Sequence, residues 1–379
     1  MSEDLLQQAV CWVDSDQLLE EKCSQWRETE VLALDTEFIR TNTYYPLAGL
    51  IQVNDGQSNT LIDPLAIDDW YPFVELLEDD SHIIAMHSCS EDLELLQVEI
   101  GTVPVRIFDT QVAAAFIGEE ANMGYANLVK RLLDIELPKS ETRSDWLQRP
   151  LSKPQVHYAA LDVEFLRVLA LKLIDTLQAQ NRLDWVLEEG ARVYKQFKQH
   201  QSVPDSYKKI KSAWKLNPRR LAVLISLSRW RENYAQTHNL PRNRVIKEKS
   251  LYELAVQCPK KIPQLRKIEG LNERVIRKQG KQIIQIIEEQ MSLPEEELPA
   301  PLTPPLAKED RDLLKQVKTD VAEMASELGI ASEILMRKKE LEKLVRMRLA
   351  DDWPAIESFF SGWRQEVIAD NLIHSLKKI

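Results

Sequence analysis

Val31-Leu-Ala-Leu-Asp35-Thr-Glu37 decides how this chain is read. Four apolar residues run without a break and then give way to two acids one residue apart. A short unbroken apolar run fits a buried strand. In a strand, residues i and i+2 point to the same face, so Asp35 and Glu37 aim together, on the side of Val31 and Ala33. Two carboxylates on one face at the edge of a core repel each other and lose hydration. A cation between them removes that cost, and a strand end running out into solvent avoids it. From this stretch alone both readings stand, because D-x-E is short and common.

Outward from that strand, Gly49–Asn54 and Asn59–Ile62 flank Asp55-Gly56, a hairpin signal. His82–Met86 and Val105–Phe108 read as further buried strands. Helical periodicity fills 91–98, 109–117, 122–133, 153–178 and 182–197. A hairpin followed by alternating helices and strands predicts an α/β domain with a mixed β-sheet. Beyond residue 200 the periodicity is helical throughout. Leu221, Leu224, Ile225 and Leu227 share one face, and Ile283, Ile284, Ile286 and Ile287 mark another helix. Gly270 and Gly280 sit at plausible helix ends.

A chain of 379 residues is expected to hold two or three domains. Its net charge of −11 is an average over unlike parts. Residues 1–206 carry 16 Lys+Arg against 36 Asp+Glu, a net −20, and residues 207–290 carry 20 against 7, a net +13. The sign changes in the polar stretch 199–206, and a second boundary, 291–308, holds five prolines and three consecutive glutamates. Proline-rich composition favours an extended spacer. The expected division is therefore 1–200, 207–290, a linker over 291–308, and 309–379. A +13 excess over some 80 residues points to a polyanionic partner.

Composition excludes several classes. With 44% hydrophobic and 29% charged residues the chain is too apolar to be wholly disordered. Its apolar runs all fall short of the ~20 residues a membrane helix needs. The start, MSEDLLQQAV, has neither the basic nor the apolar region of a signal peptide. Cys11, Cys23, Cys89 and Cys258 are scattered with no C-x-x-C pair, which supports neither a zinc finger nor a disulfide framework. A reducing cytoplasm is the expected setting.

Two further acidic stretches follow the first. Ser90-Glu91-Asp92 comes after the strand ending at Met86; Ser90 suits an N-cap and the acids suit a first helical turn, so Asp92 alone reads as a capping-region residue. Tyr158-Ala-Ala-Leu-Asp162 opens a long helical pattern in which Tyr158, Asp162, Phe165 and Leu169 form one stripe. An aspartate on an apolar stripe is either a satisfied buried acid or a metal ligand at a cleft edge. Four carboxylates from three elements, without a Cys or His cluster, suit Mg²⁺ or Mn²⁺ rather than zinc. Two such ions can activate a water and stabilise a leaving oxygen in phosphodiester cleavage, and Tyr158 can hold that water or help deprotonate it.

The combination resembles the DEDD exonuclease superfamily in its tyrosine-containing branch. Asp35 and Glu37 are similar to its first motif, Asp92 to its second, and Tyr158-x-x-x-Asp162 to its third. LALDTEFIRTNTYYP (32–46), HSCSEDLELL (87–96), FDTQVAAAF (108–116) and KSETRSDWLQRPL (139–151) resemble segments of the ribonuclease D family within it. Residues 207–290 resemble the helicase-and-ribonuclease-D C-terminal (HRDC) module, and 309–379 a second, diverged copy. Cys89 stands where a small residue such as glycine is expected. The resemblance implies an RNase H-like exonuclease domain followed by two small all-α HRDC-like domains. It also implies a metal-dependent 3′→5′ exoribonuclease that trims transfer-RNA precursors and other small structured RNAs, releasing nucleoside 5′-monophosphates. Asp35, Glu37, Asp92 and Asp162 would bind two Mg²⁺ or Mn²⁺ ions, and Tyr158 would orient the nucleophilic water. A DNA 3′→5′ exonuclease keeps the same chemistry, and the choice of RNA rests on the resemblance; a non-catalytic RNA-binding scaffold would predict a broken acidic position. A monomer is favoured.

Other residues have two readings each. His87 reads as a packed strand-end histidine, and Asp63 and Asp109 as turn and helix caps. Tyr44-Tyr45-Pro46 either stacks on terminal bases or packs a loop. Lys139 and Arg143 either form a loop salt bridge or touch phosphates. Trp214 and Trp230 read as core of a helical domain whose Lys and Arg clusters contact phosphates.

Overall fold

The computed structural model describes residues 5–138, 144–199 and 206–378. Strand β1 (Ala9–Val13) leads into helix α1 (Asp16–Trp26), then β2 (Val31–Ile39), β3 (Leu47–Asn54), β4 (Ser58–Ile62), α2 (Tyr71–Glu78), β5 (Ile83–Met86), α3 (Ser90–Glu99), β6 (Ile107–Asp109), α4 (Thr110–Phe116), α5 (Tyr125–Leu133), α6 (Lys153–Ala179) and α7 (Leu183–Gln199). The strands form one sheet in the order β1-β4-β3-β2-β5-β6. β2 runs antiparallel to β3 and parallel to β5, so the sheet is mixed and the opening stretch lies at its centre. Val31, Leu32, Ala33 and Leu34 are all buried, as a strand covered on both faces requires. The β3–β4 hairpin turns at Asp55-Gly56, where the Asp55 carboxylate accepts the amides of Gln57 (2.8 Å) and Ser58 (2.9 Å) and Gly56 adopts φ +90°.

Three elements of this region carry no expectation from sequence: β1, α1 and α2. β1 is a half-exposed strand whose ladder is supplied by β4, some 50 residues on. α1 is capped by Ser15 and buries Leu19, Cys23 and Trp26 at helical spacing, so Cys23 is a core residue of an amphipathic helix. Helix α6 starts on a capping box of Ser152 and Gln155 with proline in its first turn. It packs against β2, β3 and β4 and buries Ala159, Asp162, Val163 and Leu166.

The chain forms two compact units, one of Met1–Ile39, Leu47–Lys198 and Leu306–Ile379, the other of Arg40–Pro46 and Gln199–Pro305. The last stretch holds α13 (Arg311–Leu328) and packs into the first unit. The reason is a shared core. Trp363 stacks on Trp185 of α7, with ring centroids 5.1 Å apart, and meets the edge of Phe116 of α4 at 5.1 Å. The Ala331 amide donates to the Ala115 carbonyl (2.9 Å), and Arg364 reaches the Glu189 carboxylate.

In the second unit, α8 (Pro218–Thr237), α9 (Arg242–Val245), α10 (Glu248–Gln257), α11 (Ile262–Leu265) and α12 (Glu273–Met291) run to 20, 4, 10, 4 and 19 residues. The C-terminal stretch repeats this rhythm. α13, α14 (Ser332–Leu335), α15 (Lys338–Leu349) and α16 (Trp353–Glu357) run to 18, 4, 12 and 5 residues, and a π-turn then leads into α17 (Asp370–Lys378). α9 and α14 each end on an extended residue, Ile246 or Met336, followed by an extended N-cap, Lys247 or Arg337. Among the described residues no helix is long and apolar enough to cross a membrane.

Candidate active site

Strand β2 places Asp35 opposite Gln52, and Glu37 opposite Leu50, on the face covered by α6. The ladder slips between Glu37 and Phe38, a bulge immediately past the second acid. From α6, Asp162 meets them: one carboxylate oxygen from each of Asp35, Glu37 and Asp162 lies within 4.8 Å of the others. Two of the three elements expected to carry acids thus meet in one group.

Asp92 comes from the first turn of α3 and stands outside that three-acid group. Its carboxylate accepts the Thr36 hydroxyl at 2.5 Å. Thr36, between the two β2 acids, therefore fixes Asp92 beside them; its place between two acids gave no sign of this in the sequence. Ser90 is not the N-cap of α3. Cys89 occupies that position, and the Asp109 carboxylate accepts the amides of Ser88 (3.0 Å) and Cys89 (3.1 Å) while capping α4. Cys89 is buried, and burial pushes its thiol up.

The electrostatics of the acids are uniform. Desolvation, with Asp162 as a like-charged neighbour, pushes Asp35 up to about 8. Desolvation, then Asp35, Asp162 and Asp92, push Glu37 up to about 10. Asp162 is pushed up to about 7 by burial, against a hydrogen bond from Tyr158. Asp92 is raised by burial and by Asp35. In all four acids the charged form is disfavoured by like-charged neighbours or by lost hydration. The donor set is all carboxylate oxygen, the choice of a hard divalent cation, which would relieve both causes at once.

Tyr158 lies one turn before Asp162 on α6 and hydrogen-bonds to its carboxylate. Burial and the nearby acids push its hydroxyl far above the ordinary phenol range. Its ring lies 6.1 Å from that of Trp146, which is fully buried. Trp146 fits because residue 49 is glycine: a Cβ there would lie 2.6 Å from the Trp146 Cβ. A second tyrosine, Tyr125 of α5, donates its hydroxyl to the Asp162 backbone carbonyl at 2.6 Å. Sequence spacing missed it, because Tyr125 reads there as an ordinary apolar position of an amphipathic helix.

Other expectations resolve differently. His87 is packed: its Nδ1 bonds to the Thr110 hydroxyl (2.9 Å), its Nε2 to the Met123 carbonyl (3.2 Å), and burial pushes its pKa down. Asp63 caps a turn and pairs with Arg149. Tyr44 takes the loop-packing reading, being buried with its hydroxyl on Glu232 and the Arg242 guanidinium over its ring. Lys139 and Arg143 lie outside the described residues. Trp214 is not core but exposed, with Lys215 over its ring, and Trp230 is only partly buried. Several cations of the basic unit are structural: Arg242 pairs with the fully buried Glu232, Arg231 is itself buried, and Arg219 binds the carbonyls of Met291 and Leu293.

Comparison with known proteins bears on the same residues. Residues 10–178 match the family described as 3′-5′ exonuclease, and residues 220–287 match the HRDC domain. The chain is 43% identical over 368 residues to ribonuclease D of Pseudomonas paraeruginosa, covering 97% of this chain and 98% of the relative. It is 35% identical to ribonuclease D of Escherichia coli, again over 97% and 98%. The crystal structure of E. coli RNase D, described as an exoribonuclease involved in structured RNA processing, superposes with a TM-score of 0.87 at 34% identity, over 97% of this chain and 98% of that one. An exonuclease family and an acidic group together point to divalent-metal use.

Proposed function

The chain belongs to the ribonuclease D family and is a 3′→5′ exoribonuclease; from that premise we propose how its own residues carry the reaction and on which RNA. The observation that carries the proposal is the group of Asp35, Glu37 and Asp162 oxygens within 4.8 Å of one another, with Asp92 held alongside by Thr36. These four acids hold two Mg²⁺ or Mn²⁺ ions. When bound, such ions stabilise charge developing on phosphate oxygens and make a water nucleophilic at neutral pH. Asp35 and Glu37 are fixed by the central strand, which limits how far they can spread when they bind. Asp92 is restrained by its hydroxyl partner, and Asp162 by the Tyr125 bond to its own backbone.

Tyr158 orients the attacking water. Its hydroxyl keeps its proton at neutral pH, because burial and the neighbouring acids disfavour the phenolate. It therefore acts as a hydrogen-bonding group rather than as a proton acceptor. The products are nucleoside 5′-monophosphates. The substrates are precursors of transfer RNA and other small structured RNAs, whose 3′ extensions are trimmed in the cytoplasm by a monomer.

The division of labour follows charge. A catalytic region of net −20 repels RNA at long range, so the +13 segment supplies binding through phosphates. We read 1–200 as the exonuclease domain, 207–290 as the basic HRDC-like domain, 291–308 as linker and 309–379 as a second HRDC-like domain. The matching rhythm of α8–α12 and α13–α17 supports the last assignment. Incubating the full chain with a 3′-extended transfer RNA tests the whole: stepwise shortening with Mg²⁺ or Mn²⁺, stopped by EDTA, is expected. Shortening that continues in EDTA refutes the metal assignment, and inertness toward this RNA beside activity on DNA refutes the substrate.

A further inference from the structure

Trp230, Tyr234 and His238 are spaced i, i+4, i+8 on α8 and so share one face. His238 is the residue that caps the helix, and its ring stacks on Tyr234, with centroids 3.9 Å apart and planes 16° apart. Tyr234 lies 5.6 Å from Trp230. The Trp230 indole N–H donates to Gln282 of α12 at 3.0 Å, which fixes the plane of that ring. Trp230 and Tyr234 are half-buried and His238, at the end of the ladder, is exposed.

Two cavities flank it, sharing Tyr234, His238 and Gln279. The larger, about 750 Å³, is walled by Arg244, Lys247, Arg274 and Lys278. The smaller, about 550 Å³, is walled by Arg229, Asn233 and Gln282. Carboxylates occupy Arg242, Lys249 and Arg266 elsewhere in this unit. Lys247, Arg274 and Lys278 are exposed and have no carboxylate partner among the described residues. A core edge needs no rim of unpaired cations. Stacked rings, cations and side-chain amides side by side match the three parts of a nucleotide: base face, phosphate and base edge.

We propose that this face of the basic unit is a stacking site for unpaired nucleotides of RNA, with bases laid on the Trp230–Tyr234–His238 ladder and the backbone held by Arg244, Lys247, Arg274 and Lys278. The proposal rests on the RNA reading above and sharpens it. Phosphate contact alone treats paired and unpaired RNA alike, whereas an aromatic ladder needs exposed base faces, which a duplex keeps inside its stack. The unit thus recognises single-stranded segments of a structured RNA.

The test uses the full chain in EDTA, with a labelled oligoadenylate and a blunt-ended RNA duplex as probes, each titrated at several salt concentrations. Stacking contributes about 5- to 150-fold in affinity per base. His238→Ala and Tyr234→Leu should each weaken oligoadenylate binding by a factor in that range while leaving duplex affinity and both salt slopes as in the wild type. Arg274→Gln with Lys278→Gln should weaken both probes and flatten the single-strand slope by roughly 0.7 per lost contact. Photo-crosslinking the unmodified protein to an oligonucleotide carrying 4-thiouridine needs no variant to fold, and should place adducts on Trp230, Tyr234 or His238. An unchanged ratio of single-strand to duplex affinity in both ladder variants, or adducts only elsewhere, overturns the stacking site and leaves the phosphate reading standing. If the wild type binds neither probe, the RNA role of the basic unit falls and the stacking site with it.

Discussion

Glu189 and Glu232 lie as deep as Asp162, yet the two kinds of buried acid are driven in opposite directions. Glu189 of α7 accepts the Trp363 indole N–H (3.0 Å) and pairs with Arg364 and Arg192, which hold it below the usual carboxylate range despite its burial. Glu232 is likewise held down by Arg242 and by the Tyr44 hydroxyl. Asp35, Glu37, Asp92 and Asp162 have no such cation among the described residues, and each is pushed up. Burial of a charge is tolerated where the fold supplies its counter-charge. Where it does not, the strain marks a place that something else must neutralise. The first kind of acid belongs to the structure and the second to the function, and substitutions should separate them.

The largest difference is expected from the same change of charge at the two places. Asp35→Asn or Asp162→Asn should abolish RNA hydrolysis and raise the melting temperature of the metal-free protein, because repulsion and desolvation are relieved together. Near-wild-type turnover in either variant would remove those acids from the metal site. Tyr158→Phe comes next. Loss of one positioned catalytic group typically costs about 10²–10⁴-fold, so single-turnover cleavage should slow by that order with RNA affinity little changed; a wild-type rate would make Tyr158 a packing residue on Trp146. Glu189→Gln acts on the other side of the comparison. Breaking a buried pair from one end typically costs about 3–5 kcal/mol, read as a lower urea midpoint, with cleavage by the remaining folded protein unaltered. An unchanged midpoint would show that Arg364 and Trp363 do not depend on it.

The contrast explains which parts were legible in the sequence. Asp35 and Glu37 could be found because strand periodicity alone puts them on one face, and Asp162 because helical periodicity puts an acid on an apolar stripe. Their joining into one site is long-range and came through the family resemblance. Glu189 and Arg364 stand 175 positions apart, and no local pattern links them. The same distance hid the docking of the C-terminal helices onto α4 and α7, since the periodicity of 309–379 specifies helices but not the surface they cover. Thr36 and Tyr125 were missed for a different reason. Each acts through one hydrogen bond, to Asp92 and to the Asp162 backbone, and neither residue type is unusual where it stands. Strand β1 was missed because a short edge strand borrows its ladder from a distant partner.

Asp35, Glu37, Asp92 and Asp162 are held from their ordinary ionisation until a cation joins them, and thermal unfolding across pH tests this most directly. Asp35 at about 8 and Asp162 at about 7 lie above the ordinary aspartate value of 3.8, so the folded state binds those protons more tightly than the unfolded one. Their contribution is fully present below about pH 4 and is lost as pH rises through 7 and 8. Glu189 and Glu232 are shifted down from 4.5, so what they contribute is present above that value and fails only as pH falls below it. In EDTA the melting temperature should therefore decline between pH 5 and 8. Mg²⁺ or Mn²⁺ should raise it more at pH 8 than at pH 5, and Asp35→Asn should flatten the decline and remove most of the metal's effect. A profile flat from pH 5 to 8 and indifferent to Mg²⁺ and Mn²⁺ would contradict the account.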